Sequence, residues 1–171
     1  INKKAAAGAD RVTAKEFEKK LNSNLVELLD ELKSKRYKAK LVRRVNIPKG
    51  KGKTRPLGIP ALRDKIVQRA VASILEAIYE QDFLKSSYGY RPSVGAQKAV
   101  KELTKEIQGK YSYIVEADIK GFYNNIDHDW LMEMLKLRIK DGALLRLIKK
   151  WLKAGVMETD GKITHPITGC P

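Results

Sequence analysis

Pro48-Lys49-Gly50-Lys51-Gly52-Lys53 divides two β-prone runs, Leu41 to Ile47 and Thr54 to Ile59. Glycine reverses a chain at little steric cost, and proline cannot continue a ladder, so the two runs must fold back on each other. The spacing predicts a basic hairpin with a mobile, glycine-rich tip. Pro60 ends the second strand. Ala61 to Tyr79 follows as a helix, with Ile66, Val67, Ala70, Val71, Ile74, Leu75 and Ile78 on one face.

Helical and β-prone segments alternate along the rest of the chain. Residues 1–12 read as an irregular lead-in rich in Ala and Lys. Thr13 and Glu16 have the capping-box spacing, and Phe17, Leu21, Leu25, Leu28, Leu29 and Leu32 form one apolar stripe, which predicts one helix from Thr13. Further helices are expected from about Val94 to Ile107, from His128 to Lys136 and from Asp141 to Ala154. Asp160-Gly161 marks a hairpin between Val156–Glu158 and Lys162–His165. The mixture points to an α+β fold with an antiparallel sheet. A 43% hydrophobic fraction supplies a core and excludes a wholly disordered chain. No apolar run approaches the ~18 residues of a membrane-spanning helix. No apolar stretch follows Ile1–Ala5 to suggest a signal peptide. The single cysteine, Cys170, excludes an intrachain disulfide framework and suits a reducing compartment such as the cytoplasm.

The formal charge of +15 is unevenly spread. Lys33–Arg55 contains eleven basic residues and no acidic one. A field of one sign draws polyanions, and nucleic acid is the expected partner. An anionic membrane would feel the same field, but the basic run is no clean amphipathic helix, so no membrane partner is expected. A solvated basic face is the plain alternative. Lys49 and Arg55 stand on either side of the glycine-rich tip and could clamp a triphosphate, Arg as a fork and Lys as a point charge.

The other candidate centre is Tyr113-Ile114-Val115-Glu116-Ala117-Asp118-Ile119-Lys120-Gly121-Phe122-Tyr123. If Tyr111–Ile119 is a strand, Asp118 lies at its end on the same side as Ile114 and Glu116. A carboxylate there is costly unless paired or holding a cation, and an oxygen site suits Mg²⁺. A strand-end cap is the competing reading. Asp127 and Asp129 read as helix-start residues, and His128 as a capping or packed histidine. Tyr88, Tyr90, Tyr111, Tyr113 and Tyr123 could stack on bases.

Four segments, in this order, resemble a known family: Val45-Asn46-Ile47-Pro48-Lys49 to Arg55-Pro56-Leu57-Gly58-Ile59-Pro60, then Arg63-Asp64-Lys65-Ile66-Val67-Gln68, then Ser87-Tyr88-Gly89-Tyr90-Arg91-Pro92, and Ala117-Asp118-Ile119-Lys120-Gly121-Phe122-Tyr123 to Ile126-Asp127-His128. From about residue 5 onward the chain resembles the fingers and first part of the palm of a bacterial reverse transcriptase of the group II intron (maturase) type. The resemblance implies a right-hand polymerase fold, with fingers over 1–110 and the start of the palm over 111–171. It implies an RNA-directed DNA polymerase using two Mg²⁺ ions, an RNA template, a DNA primer, deoxynucleoside triphosphates and group II intron RNA. By position, Asp118 matches the first catalytic, metal-binding aspartate, and Ile119 the residue whose backbone carbonyl joins the metal. Tyr123 matches the aromatic gate that screens the sugar 2′-hydroxyl. Lys49 and Arg55 match the cations that hold the triphosphate. Arg63 and Arg91 match basic positions near the template path. Arg43, Arg44, Lys51 and Lys53 add basic nucleic-acid contacts.

The chain also departs from the family pattern. Asn124 stands where the family often has Asp, and the tip Gly50-Lys51-Gly52-Lys53 is more basic than usual. Thr168-Gly169-Cys170-Pro171 resembles the start of a segment that continues Gln-Gly-Gly, and the Tyr-x-Asp-Asp segment with the other metal carboxylates is not in this sequence. The expectation is a piece of a longer protein, silent in catalysis by itself. A module that grips intron RNA and assists folding or splicing without synthesis is the alternative. Retron, diversity-generating and CRISPR-associated types stay open within the wider family, and the oligomeric state is not fixed.

Overall fold

The computed structural model describes residues 2, 4–109 and 111–170. The chain forms two compact units, Ile1–Ala70 with Gly121–Pro171, and Val71–Lys120. The expected boundary at residue 110 lies outside the described residues, as does Pro171.

In the first unit, helices α1 (Ala14–Glu18) and α2 (Leu21–Lys33) replace the single helix expected from Thr13. Thr13 is the N-cap, and the capping box with Glu16 is formed on both sides. The break comes at Lys20, whose φ of −126° leaves the helical region. The Asn24 side-chain amide donates to the Phe17 carbonyl at 2.9 Å, taking an acceptor that a continuous helix would offer to its own next turn.

The hairpin forms as expected: β1 (Val42–Gly50) pairs antiparallel with β2 (Lys53–Ile59), from Arg43↔Ile59 to Gly50↔Lys53, with a bulge between Pro48 and Gly50. Helix α3 (Leu62–Tyr79) follows. Helix α4 (Ala96–Ile107) belongs to the second unit. Helices α5 (His128–Arg138) and α6 (Gly142–Leu152) are capped by Asp127 and Asp141, each accepting two backbone N–H groups. Short strands β3 (Val156–Met157) and β4 (Ile163–Thr164) complete a sheet of order β2-β1-β3-β4. The sheet is not wholly antiparallel. β1 and β3 run parallel through Val42↔Val156 and Arg43↔Met157. More than a hundred residues separate these strands, so no turn dictates their direction, whereas local turns make the other pairs antiparallel.

One core cluster joins Leu28, Tyr37 and Val67, with Leu32, Ile66, Leu147 and Trp151 against it. A second joins Val42, Ala154 and Val156. Between helices and sheet lies a buried carboxylate, Asp64, only 2% exposed. The Tyr37 hydroxyl donates to it at 2.6 Å and the Lys40 backbone N–H at 2.8 Å. The Trp151 indole N–H donates to the Tyr37 oxygen at 2.9 Å, and Lys150 Nζ to the Tyr37 carbonyl at 2.5 Å.

The second unit contains the later part of α3 and all of α4, which ends before Gly109. Residues 111–119 are exposed and meet no ladder partner among the described residues, so the strand expected there is not formed. β-propensity reports fit to a paired, half-buried surface, and a strand exists only through its neighbour.

Burial, then the hydrogen bond to Asp64, push the Tyr37 phenol above its ordinary value of 10.0. The fold therefore favours the neutral phenol. That stabilisation is whole below pH 10.0 and is lost as pH rises past it. Replacing Tyr37 with Phe should cost about 1–3 kcal/mol, because Asp64 loses a donor and Trp151 an acceptor. Urea unfolding of the chain at neutral pH checks this, and the variant should lose less stability than the wild type when the pH is raised above that of free tyrosine.

Candidate functional site

The hairpin is the most cationic element of the first unit. Its tip carries three consecutive positive φ values, +85° at Gly50, +49° at Lys51 and +71° at Gly52. Gly50 pairs with Lys53, so the two turn residues are Lys51 and Gly52; positive φ at both matches strand twist, and Gly52 supplies it without the Cβ penalty that Lys51 bears. Lys49 stands in the bulge. Lys49, Lys51, Lys53 and Arg55 are all exposed and have no side-chain partner among the described residues. Arg55 lies opposite Ile47 in the register, so the cations crowd the distal half of the hairpin.

Arg43 and Arg44 sit at its base and are differently employed. Arg43 donates from Nε and Nη2 to the Ala7 carbonyl, at 3.1 and 2.7 Å. Lys65 Nζ donates to the Ala6 carbonyl at 2.7 Å. The lead-in is thus fastened to the hairpin base and to α3. Arg44 lies 3.5 Å from a Glu158 carboxylate oxygen. Arg63 pairs with Glu31 and lies 5.7 Å over the Tyr37 ring, while its buried Nε has no partner among the described residues.

Tyr123 lies on a 3₁₀ turn, Phe122–Asn124, that starts from Gly121 in the left-handed conformation. Its ring meets Phe122 edge-on at 5.3 Å and is 58% exposed. The turn is clasped by residues 168–170. Gly169 N–H donates to the Ile126 carbonyl at 2.7 Å, and Cys170 N–H to the Tyr123 carbonyl at 2.9 Å. Asp127 and Thr168 form an isolated bridge. His128 Nε2 lies 2.7 Å from the Gly169 carbonyl. These partners are some forty residues apart in sequence, and no local pattern marks them.

In the second unit, Asp118 and Ile119 lie in the exposed segment 111–119. The Asp118 carboxylate and the Ile119 carbonyl are hard oxygen donors of the kind Mg²⁺ takes. No group of three His, Cys, Asp or Glu residues that could hold a metal is found among the described residues. Tyr90 and Tyr113 are 97% and 93% exposed, open to stacking, whereas the Tyr88 hydroxyl donates to Glu102 at 2.5 Å, which raises its pKa.

Arg91 is turned inward on its own loop. Its guanidinium donates to both Glu80 oxygens at 2.7–3.2 Å and to the carbonyls of Leu84 and Ser87 at 3.0 and 2.6 Å, and it lies 5.1 Å over Phe83. The hydrogen bond from Arg91 lowers the Glu80 carboxyl. Here Arg91 is the fastener of residues 80–91. Replacing it with Lys keeps the charge but loses the fork. Amides of this loop should then exchange about tenfold faster or more, the effect of losing roughly one net hydrogen bond, by hydrogen-exchange measurement.

The profile of the reverse transcriptase (RNA-dependent DNA polymerase) family matches residues 47–171. Protein YkfC of Escherichia coli K12 is 40% identical over 152 residues, covering 86% of this chain and 40% of that protein. Group II intron-encoded protein LtrA of Lactococcus lactis is 44% identical over 133 residues, covering 77% of this chain and 22% of that protein. The chain thus spans well under half of either relative. A solved chain of a partial Cas6-RT-Cas1–Cas2 complex superposes with a TM-score of 0.55 at 27% identity, covering 91% of this chain and 26% of that one. The hairpin from Ile47 onward, the Tyr123 turn and Asp118 fall within the matched residues, and the chain belongs to the reverse transcriptase (RNA-dependent DNA polymerase) family, with group II intron-encoded proteins among its relatives.

Proposed function

We propose that this chain is the fingers, over 1–110, and the first part of the palm, over 111–171, of an RNA-directed DNA polymerase of the group II intron type, working in the bacterial cytoplasm. The observation that carries the reading is the exposed quartet Lys49, Lys51, Lys53 and Arg55 on a glycine-turned hairpin, within a chain of this family. Lys49 and Arg55 hold the phosphates of an incoming deoxynucleoside triphosphate. Lys51, Lys53 and the partly exposed faces of Arg43, Arg44 and Arg63 contribute charge along the template, while Arg91 supports it by ordering its loop. Tyr123 screens the sugar.

In the reaction, the primer 3′-oxygen bonds to the α-phosphorus, the bond to the β-phosphate bridging oxygen breaks, and pyrophosphate leaves. Asp118 and the Ile119 carbonyl would hold Mg²⁺, which when bound neutralises phosphate charge and lowers the pKa of the attacking hydroxyl. Two-metal transfer needs further convergent carboxylates, which we place in the remainder of a longer protein. The chain alone is then silent in synthesis.

A second reading is an RNA-gripping maturase module. The hairpin favours it equally, because shape, phosphates and 2′-hydroxyls are what such a surface reads. Nuclear intron maturase 1 of Arabidopsis thaliana is 28% identical over 94 residues. The readings part at Asp118, which synthesis requires and RNA grip does not.

Two measurements test the hairpin. In the full-length protein that carries this chain, Lys49→Ala and Arg55→Ala should each raise the KM for deoxynucleotide about tenfold to a hundredfold, since each removes a charged hydrogen bond worth about 1.5–3 kcal/mol. In the chain itself, Lys51→Ala with Lys53→Ala should weaken binding to unrelated RNAs alike and lower the salt slope by about one for each phosphate left without its cation. Unchanged nucleotide KM together with an unchanged salt slope would contradict the assignment.

A further inference from the structure

We propose that His128 is a positioning residue for the sugar gate: its ring holds the Gly169 carbonyl and, through residues 168–170, fixes where Tyr123 stands. The inference rests on the reading of Tyr123 as the group that screens the 2′-hydroxyl.

His128 opens α5 directly after the capping Asp127, a place where a polar side chain usually meets water. It is instead 7% exposed. A buried imidazole needs a partner, and the Gly169 carbonyl at 2.7 Å is that partner. A carbonyl oxygen only accepts, so Nε2 carries the proton.

Gly169 is itself committed to the Tyr123 turn. Its φ is +79°, and a Cβ there would fall 2.6 Å from the Asn124 carbonyl oxygen. The Gly169 and Cys170 N–H groups donate to the carbonyls of Ile126 and Tyr123, and Thr168 Oγ1 donates to that of Asn124 at 3.4 Å. Residues 123–127 and 168–170 therefore form a clasp of backbone hydrogen bonds. His128 adds the shorter of two side-chain hydrogen bonds to it, at 2.7 Å against 3.4 Å for Thr168 Oγ1.

The Tyr123 ring is largely exposed, and Phe122, which it meets edge-on, lies on the same turn. Its position follows from the backbone of the turn rather than from a packed seat. A steric gate works on displacements of an ångström or less, and misplacement on that scale changes rates by about a hundredfold. Loosening the clasp should blur selection between ribose and deoxyribose before it stops synthesis.

The test is single-nucleotide incorporation on an RNA template by the full-length protein that carries this chain. The readout is the ratio of kcat/KM for each deoxynucleotide to that for its ribonucleotide. Tyr123→Ala should lower the ratio and so establish the gate. His128→Leu keeps the volume and removes the donor, and it should lower the ratio about tenfold (about 1.4 kcal/mol). His128→Gln offers an N–H at similar reach and should restore selectivity. Gly169→Ala pushes the turn from the other side and should lower the ratio too, which keeps the inference open to test if His128→Leu does not fold. A lowered ratio in Tyr123→Ala, with wild-type ratios in His128→Leu and Gly169→Ala, overturns the positioning role and leaves the gate standing. So does a fall in kcat at constant ratio. An unchanged ratio in Tyr123→Ala overturns the gate and, with it, the inference.

Discussion

The carboxylate of Asp64 holds the first unit together. An unpaired buried charge would cost several kcal/mol, so its hydrogen bonds to the Tyr37 hydroxyl and the Lys40 amide are obligatory rather than optional. Those bonds set the distance between α3, the link after α2 and the lead into β1. Trp151 and Lys150 extend the same network to α6 through the Tyr37 oxygen and carbonyl. The hairpin inherits its base from this arrangement. Val42, at its first position, packs with Ala154 and Val156 and receives the parallel pairing of β3. A rigid base and an open tip let four cations stand in solvent without unfolding what carries them.

The basic residues divide by what they touch. Lys49, Lys51, Lys53 and Arg55 face water, whereas Arg43, Arg44, Arg63 and Arg91 spend their forks on a carbonyl or a carboxylate of the chain itself. Arginine presents several donors in fixed directions and so can staple a loop. Lysine at a glycine-rich tip has a long, free stem and serves as a mobile point charge. Among the eleven basic residues of Lys33–Arg55, Arg43 and Arg44 are thus tied to the chain itself, while Lys33, Lys35, Lys38 and Lys40 are exposed like the four of the hairpin.

Local chemistry was legible in the sequence wherever a single turn decides the outcome. Thr13 and Glu16, Asp127, Asp141 and the Gly50–Gly52 tip all form as their spacing requires. Pairings between distant segments were not legible. The parallel β1–β3 pair, the Asn24 side chain that splits α1 from α2, and the His128–Gly169 hydrogen bond have no signature in any short window. Residues 111–119 show the converse. Their β-branched and aromatic side chains favour a strand, yet no neighbouring segment among the described residues supplies the ladder. At the candidate site, residue identity and order can be read from the sequence, whereas the free cations and the clasp around the Tyr123 turn emerge only on folding.

Asp118 serves nucleotidyl transfer and the hairpin serves nucleic acid in the function proposed for this chain. The most direct measurement is Mg²⁺-dependent primer extension on an RNA template by the full-length protein, wild type beside Asp118→Ala, with RNA binding followed in the same preparations. Synthesis is expected in the wild type and its loss to background in the variant, with RNA binding unchanged in both. Synthesis that survives the substitution, or a wild-type protein that binds RNA and extends no primer, would contradict that division of roles.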